Sequence, residues 1–150
     1  VRSVVNIKYG FQKQIYLGNL NAKRDWGHAK DFVWGIWLIL QQEKPDDYVL
    51  STGKSYSVKK FVELVFKEVG IIIKWKGKGL NEVGYDVNTN IVRVRVDKRY
   101  IRPNEIDNLI GNSFKSKKIL GWKNNYSLKD LIQDMINAEI NFFKKNKKIK

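Results

Sequence analysis

From Ala29 onward, apolar residues fall at Ala29, Phe32, Val33, Ile36, Trp37 and Leu40, a spacing of three and four that predicts a helix over 29–40. Trp34, Leu38 and Ile39 add apolar surface on its other side, so this helix is expected to be buried on most of its surface. Pro45 follows its end. A second helical stripe runs through Val58, Phe61, Val62, Val65 and Val69, with Ser57 as N-cap and Gly70 as its stop. A third opens at Ser127-Leu128-Lys129-Asp130, a Ser-x-x-acid capping box, and carries Leu128, Leu131, Ile132, Met135 and Ile136 on one face. Ser113 is placed to cap a short helix through Leu120, and residues 2–10 read as the end of a helix stopped by Gly10.

Short apolar runs between these helices predict strands at 14–17, 48–52 and 71–75. Val92, Val94 and Val96 alternate with Arg93 and Arg95, the pattern of a half-exposed strand. The stretch 76–90 is polar and contains glycine, so it is expected to be a loop. The class is α/β or α+β with short strands. The strand–helix pairs at 14–40 and 48–69 have the form of crossover units, whose strands need parallel partners. Few such partners exist in the chain, which points to a piece of a larger protein.

Composition narrows the class. The 150 residues are 43% hydrophobic, with five Trp, seven Tyr and seven Phe, enough for a real core and too apolar for a disordered chain. With no cysteine there can be no disulfide and no thiolate metal site, which fits a reducing compartment. The longest apolar run, Phe32 to Leu40, is far short of the roughly 20 residues of a membrane span. Val1 to Val5 is too short and too soon followed by Lys8 for a signal peptide, so a cytoplasmic location without membrane attachment is expected. The net charge of +14 would draw polyanions. It is spread along the chain, however, and only Lys144-Lys145-Asn146-Lys147-Lys148-Ile149-Lys150 is dense, so nucleic acid is not an expected partner.

Several tempting motifs fail. Tyr56-x-x-x-Lys60 has the spacing of a dehydrogenase Tyr/Lys pair, yet it lies at a helix start with no matching hydroxyl upstream. Gly77-Lys78-Gly79 begins like a dinucleotide fingerprint, but Glu82 stands where the third Gly belongs and no helix follows. His28 is the only histidine, and its simplest role is to help open the helix at Ala29.

Two arginine-centred segments are better candidates. Residues 18–28, Gly-Asn-Leu-Asn-Ala-Lys-Arg-Asp-Trp-Gly-His, link a strand end to a helix, where open α/β sheets bind ligands. There Arg24 can offer a planar fork to phosphate oxygens while Asp25 caps the helix; a local Arg24–Asp25 ion pair is the plainer alternative. The second segment is Tyr100-Ile101-Arg102-Pro103-Asn104-Glu105-Ile106-Asp107, stiffened by Pro103. An arginine three residues before a carboxylate suits a nucleoside diphosphate, with a surface ion pair as the alternative.

Taken together, these segments resemble those of the GDP-mannose 4,6-dehydratases, a family of extended short-chain dehydrogenase/reductases. The likeness runs through Leu17 to Asp31, Trp37-Leu38-x-Leu40-Gln41, Thr52-Gly53-x-x-x-Ser57-Val58, Asn81-Glu82-Val83-Gly84, Arg102-Pro103-x-Glu105-x-Asp107 and Leu120-Gly121-Trp122-Lys123. Asn21 departs from the family's usual Asp, and the lysine-rich tail departs too. The resemblance implies an α/β fold, the C-terminal substrate-binding part of such an enzyme with elements of its Rossmann sheet, with residues about 14–55 packing on the N-terminal portion. It further implies GDP-mannose as substrate, dehydrated to GDP-4-keto-6-deoxymannose for GDP-fucose and deoxysugar synthesis by way of NADP. The family's Gly-rich loop and catalytic groups lie upstream of the point matching Val1, so NADP is expected to be bound mainly by an N-terminal portion and this chain to be inactive alone. Carried over are only nucleotide-sugar contacts: Arg24 and Arg102 to the pyrophosphate, Glu105 to ribose or guanine, and Asn19 and Lys23 nearby. A homo-oligomer, or a complementing N-terminal chain, is the expected partner. A fragment of another nucleotide-sugar epimerase or dehydratase, and a basic nucleic-acid-binding module without enzymatic activity, are the alternatives.

Overall fold

The helical stripe at Val62, Val65, Phe66 and Val69 becomes one wall of the core once the neighbouring strands fold against it. A computed structural model describes residues 1–147. The lysine run at 144–150 therefore lies partly outside the described residues. In chain order the elements are α1 (Arg2–Lys8), β1 (Ile15–Leu17), β2 (Lys23–Arg24), α2 (Ala29–Leu40), β3 (Tyr56–Ser57), α3 (Val58–Glu68), β4 (Ile73–Lys76), β5 (Val83–Asp86), β6 (Val92–Val96), β7 (Asn108–Leu109), α4 (Phe114–Leu120) and α5 (Leu128–Lys147). Two short 3-10 turns, Gly79–Asn81 and Lys98–Tyr100, complete them.

β1, β6, β5 and β4 form a sheet in that order, with β1 parallel to β6 and the other pairs antiparallel. Alternation along β6 turns Val94 inward and leaves Arg95 exposed, as its period of two requires. Helices α1, α3 and α5 contribute to the core cluster with Val4, Ile7, Val62, Val65, Phe66, Val69, Ile132 and Ile136, and the strands add Ile15, Ile73 and Val94. Burying a side chain of this size stabilises by about 1.5–3 kcal/mol. The helix ends are the expected ones. Ser57 Oγ accepts from Lys60 N at 3.0 Å, Ser127 and Asp130 exchange capping-box bonds of 2.8 and 3.2 Å, and the chain leaves α3 through Gly70.

The rest of the chain is organised differently. β3, β2 and β7 make a three-stranded ribbon of two-residue strands, and α2 packs beside α4 through its narrow side. Gly35 lets Leu50 and Trp122 approach α2: a Cβ there would come within 2.6 Å of Leu50 and 2.8 Å of Trp122 Nε1. Trp122 is fully buried and donates from Nε1 to the Asp31 carbonyl at 2.8 Å. The carboxylate of Asp31, only 2% exposed, accepts from the backbone N–H groups of Asn125 and Tyr126, all at 3.1 Å. These bonds offset the cost of burying its charge.

Several expectations are corrected. The stretch 76–90 is not a loop throughout, because β5 pairs with β4 and β6 on either side. Its glycine concealed the strand, yet Gly84 is where Ile73 and Trp75 leave no room for a Cβ. Residues 48–52 join no ladder among the described residues. Instead the carbonyls of Val49 and Ser51 accept from the hydroxyls of Ser116 and Ser113. Ser113 is thus the N-cap residue of α4, as expected, but its side chain makes no cap bond. Finally, α2 is not buried on most of its surface: only Asp31 and Gly35 are buried, whereas Val33, Trp34, Ile36, Trp37 and Leu40 are 48–74% exposed.

Candidate functional site

The two arginine-bearing segments, separated by some eighty residues of sequence, run side by side. Their contact begins where the Asp97 amide donates to the Leu17 carbonyl at 2.8 Å. At the next residue the backbones nearly touch: a Cβ on Gly18 would lie 2.1 Å from the Tyr100 carbonyl oxygen, so only glycine fits. Further on, Lys23 N donates to Asp107 O at 2.7 Å, and β2 pairs in parallel with β7, Lys23 opposite Asn108 and Arg24 opposite Leu109. On its other side β2 pairs antiparallel with β3. Three two-residue strands thus position Arg24.

The guanidinium of Arg24 closes this junction. Nη1 donates to the carbonyls of Lys23 and Ile106, each at 2.7 Å, and Nη2 donates to Glu105 Oε1 at 2.9 Å. The Arg24 and Glu105 side chains are 26% and 18% exposed, so the pair is sheltered from solvent. Asp25 faces away from Arg24. Its carboxylate accepts from the Thr52 amide and hydroxyl and from the Gly53 amide, which ties β2 to the segment before α3. The suggested Arg24–Asp25 pair is therefore replaced by Arg24–Glu105, and Asp25 does not cap α2.

His28 has the capping role. Its Nδ1 accepts from Lys30 N at 3.2 Å, which leaves Nε2 as the donor to Asp134 Oδ2 at 3.1 Å. Lys30 also bonds Asp134, and these contacts, that from Lys30 first, hold the Asp134 carboxyl below the usual carboxylate range. His28 thereby joins the start of α2 to α5.

The remaining sequence candidates are placed less centrally. Arg102 is an exposed cation on the turn between the Lys98–Tyr100 helix and β7. Asn19 is half-buried and its Oδ1 accepts from Asn21 N at 2.9 Å, closing a local turn. The Lys23 side chain is exposed while its backbone sits in the ribbon. Two cavities flank the junction. One of about 370 Å³ is mostly apolar and is lined by Val4, Leu17, Phe61, Val62 and Tyr100. The other, about 240 Å³, is bounded by Arg24, Asp25, Phe32, Leu50 and Leu109. No residue lines both, and Arg102 lines neither. The smaller offers the Arg24 cation, so it can hold an anion. Sequence reasoning missed the ribbon and the anchoring carboxylate of Asp31; strands of two residues carry no periodicity to detect.

Lys60 Nζ pairs with Glu63 at 3.3 Å, and Tyr56 belongs to β3. Gly77-Lys78-Gly79 leads through a 3-10 turn into β5, so no α-helix N-terminus follows to receive a phosphate.

Comparison with known proteins shows the family and the fold. The family profile described as GDP-mannose 4,6 dehydratase matches residues 1–135. A Dictyostelium discoideum protein of that name is 48% identical over 147 residues, which are 98% of this chain and 41% of the relative. Its human namesake is 45% identical over 145 residues, covering 97% of this chain and 39% of its own length. The chain therefore spans about two fifths of the relatives it matches. Among solved structures, RMD from Pseudomonas aeruginosa, complexed with NADPH, superposes with a TM-score of 0.73 at 15% identity over 94% of this chain and 41% of that one. At that identity the likeness shows the fold, an α/β architecture of the extended short-chain dehydrogenase/reductase type.

Proposed function

We propose that this chain, which belongs to the GDP-mannose 4,6-dehydratase family, supplies the GDP-sugar-binding part of an enzyme that converts GDP-mannose to GDP-4-keto-6-deoxymannose, a step toward GDP-fucose and related deoxysugars. The observation that carries the reading is the junction itself. Arg24 is fixed between Lys23 O, Ile106 O and Glu105, on the seam of the two segments that resemble the family's nucleotide contacts. A guanidinium so positioned loses little entropy on meeting a pyrophosphate. Arg102, on the same strap, adds a second cation from the rim, while Glu105 accepts from ribose or guanine. Asn19 and Lys23 border the same junction.

The hydride chemistry belongs to NADP, which the dinucleotide-binding portion of the longer enzyme holds. The residues described here supply binding and orientation, not proton transfer, so the chain alone has no dehydratase activity. Residues about 14–55 pack on that portion, in keeping with the apolar face that α2 presents and with a 48–52 segment that has no ladder. A second copy or a complementing N-terminal chain is the partner.

Two measurements test this. Incubation with GDP-mannose and NADP should yield no 4-keto sugar from this chain alone; its appearance would show that catalysis resides here. Calorimetric titration should show GDP binding that Arg24→Ala weakens at least about tenfold, or 1.4 kcal/mol. Equal loss from Lys144→Ala, a cation far along α5, would mean diffuse electrostatics and no pocket.

A further inference from the structure

We infer that the outer face of the four-stranded sheet is a binding surface for single-stranded nucleic acid, separate from the Arg24 junction. The positive charge is spread along the sequence, but strand alternation gathers part of it here. Ile15, Ile73 and Val94 point to the helices and the core. Lys74 and Lys76 of β4, Tyr85 of β5, Arg93 and Arg95 of β6 and Tyr16 of β1 take the opposite side. Lys74, Lys76 and Arg95 are exposed, Tyr16 is 44% exposed, and Arg93 and Tyr85 are half-buried.

No carboxylate pairs with these cations among the described residues. The acids nearest along the strands are engaged elsewhere: Glu82 with Lys59, Asp97 with Arg99, and Asp86 with Asn88 and Thr89 of its own turn. Arg95 Nε donates to the Gln14 amide oxygen at 3.1 Å. Arg93 Nη1 donates to the Lys13 carbonyl at 3.3 Å, and its Nε meets no acceptor. Both guanidiniums therefore keep N–H donors for a ligand. A second copy of this face would bring like charge and be repelled.

The ladder also sets a cation directly across from each tyrosine, Lys74 opposite Tyr85 and Arg95 opposite Tyr16. Such opposed side chains start about 5 Å apart, and like positions along one strand follow at about 7 Å. A lipid surface or a sulfated sugar would use the cations alone. A flexible nucleic-acid strand uses both, since its phosphates meet the cations and its unpaired bases stack on the rings. A duplex keeps its base faces covered, so the tyrosines select the single strand.

The test is fluorescence anisotropy of a labelled oligothymidylate of about twelve nucleotides, titrated with the chain and three variants. Lys74→Glu/Arg95→Glu should weaken binding at least about tenfold, and should flatten the slope of log K against log salt by about 1.4, for two lost phosphate contacts. Tyr85→Ala leaves the charge unchanged and should weaken binding about fivefold or more. Lys117→Glu/Lys118→Glu, the same change of charge at exposed positions of α4, should cost less than about threefold. Equal loss from the α4 variant would mean diffuse electrostatics and overturns the inference. So does a Tyr85→Ala variant that binds normally, or a duplex of the same length bound as tightly as the single strand. Excess GDP should leave the oligonucleotide in place; displacement would put it at the Arg24 junction and end the claim of a separate face. Capture by phosphatidylserine vesicles without any binding of the oligonucleotide would make this a lipid surface instead. The duplex and GDP comparisons need no substitution, so they decide even if a variant fails to fold.

Discussion

The two regions of this molecule are held together by different physics. Around the four-stranded sheet, α1, α3 and α5 close over a continuous apolar core in which Phe66, Val5 and Val94 are fully buried. On α2, Val33, Trp34, Ile36, Trp37 and Leu40 face outward, and Phe32 stacks on the buried Trp122. There cohesion comes from polar ties: Asp31 to Asn125 and Tyr126, Asp25 to Thr52 and Gly53, Trp122 to the Asp31 carbonyl, His28 to Asp134. The first region satisfies its own hydrophobic demand. The second leaves exposed a stripe that carries two stacked tryptophans, Trp34 and Trp37. The Arg24 junction lies between the two regions, where β2 pairs with β3 and β7.

The largest expected effect sharpens this contrast. Phe66→Ala should destabilise the chain by about 3–5 kcal/mol in urea unfolding, the range for deleting a buried aromatic. Trp37→Ala, at a position 48% exposed, should cost less than about 1 kcal/mol while lowering self-association measured by light scattering. Comparable losses from the two would erase the distinction between regions.

Next is the polar anchoring of the second region. Asp31→Ala leaves the Asn125 and Tyr126 amides without their charged acceptor, and should cost about 2–3 kcal/mol, with hydrogen exchange quickening at those amides. If Asp31→Ala is silent, α2 is held by something other than these bonds.

On the seam itself, Arg102→Ala should weaken GDP less than Arg24→Ala. An exposed rim charge is screened, whereas a sheltered one is not. Arg102→Ala should instead slow GDP association at low salt and make it less sensitive to salt, read by stopped-flow at two ionic strengths. A larger loss of affinity at Arg102 would reverse the assignment of the principal phosphate contact.

The smallest effect tests a helix end that belongs to the closed region. The Asp130 carboxyl is held below its ordinary value by the Ser127 hydroxyl and amide. A depressed carboxylate contributes stability above its unfolded value of about 3.9, and that contribution is lost as pH falls through the lower folded value. Asp130→Asn should therefore lower Tm slightly at neutral pH, with the difference shrinking below about pH 4. A difference that persists in acid would mean the cap works through shape alone.

Helices α2, α3 and α5 were legible from their apolar spacing and from Ser57, Ser127 and Gly70, because those signals are local: a cap and its amide lie three residues apart. The alternation in β6 was legible for the same reason. Arg24, Arg102 and Glu105 could be picked out by residue type and by resemblance, since planar donors and carboxylates advertise their chemistry wherever they fall. What only the tertiary structure decided was pairing over distance. It gave Arg24 to Glu105 and not to the adjacent Asp25, made a strand of Val83–Asp86 despite its glycine, and used two-residue strands too short for any period. It also left the apolar face of α2 outward, because periodicity tells which side of a helix is greasy and contains nothing about what covers it.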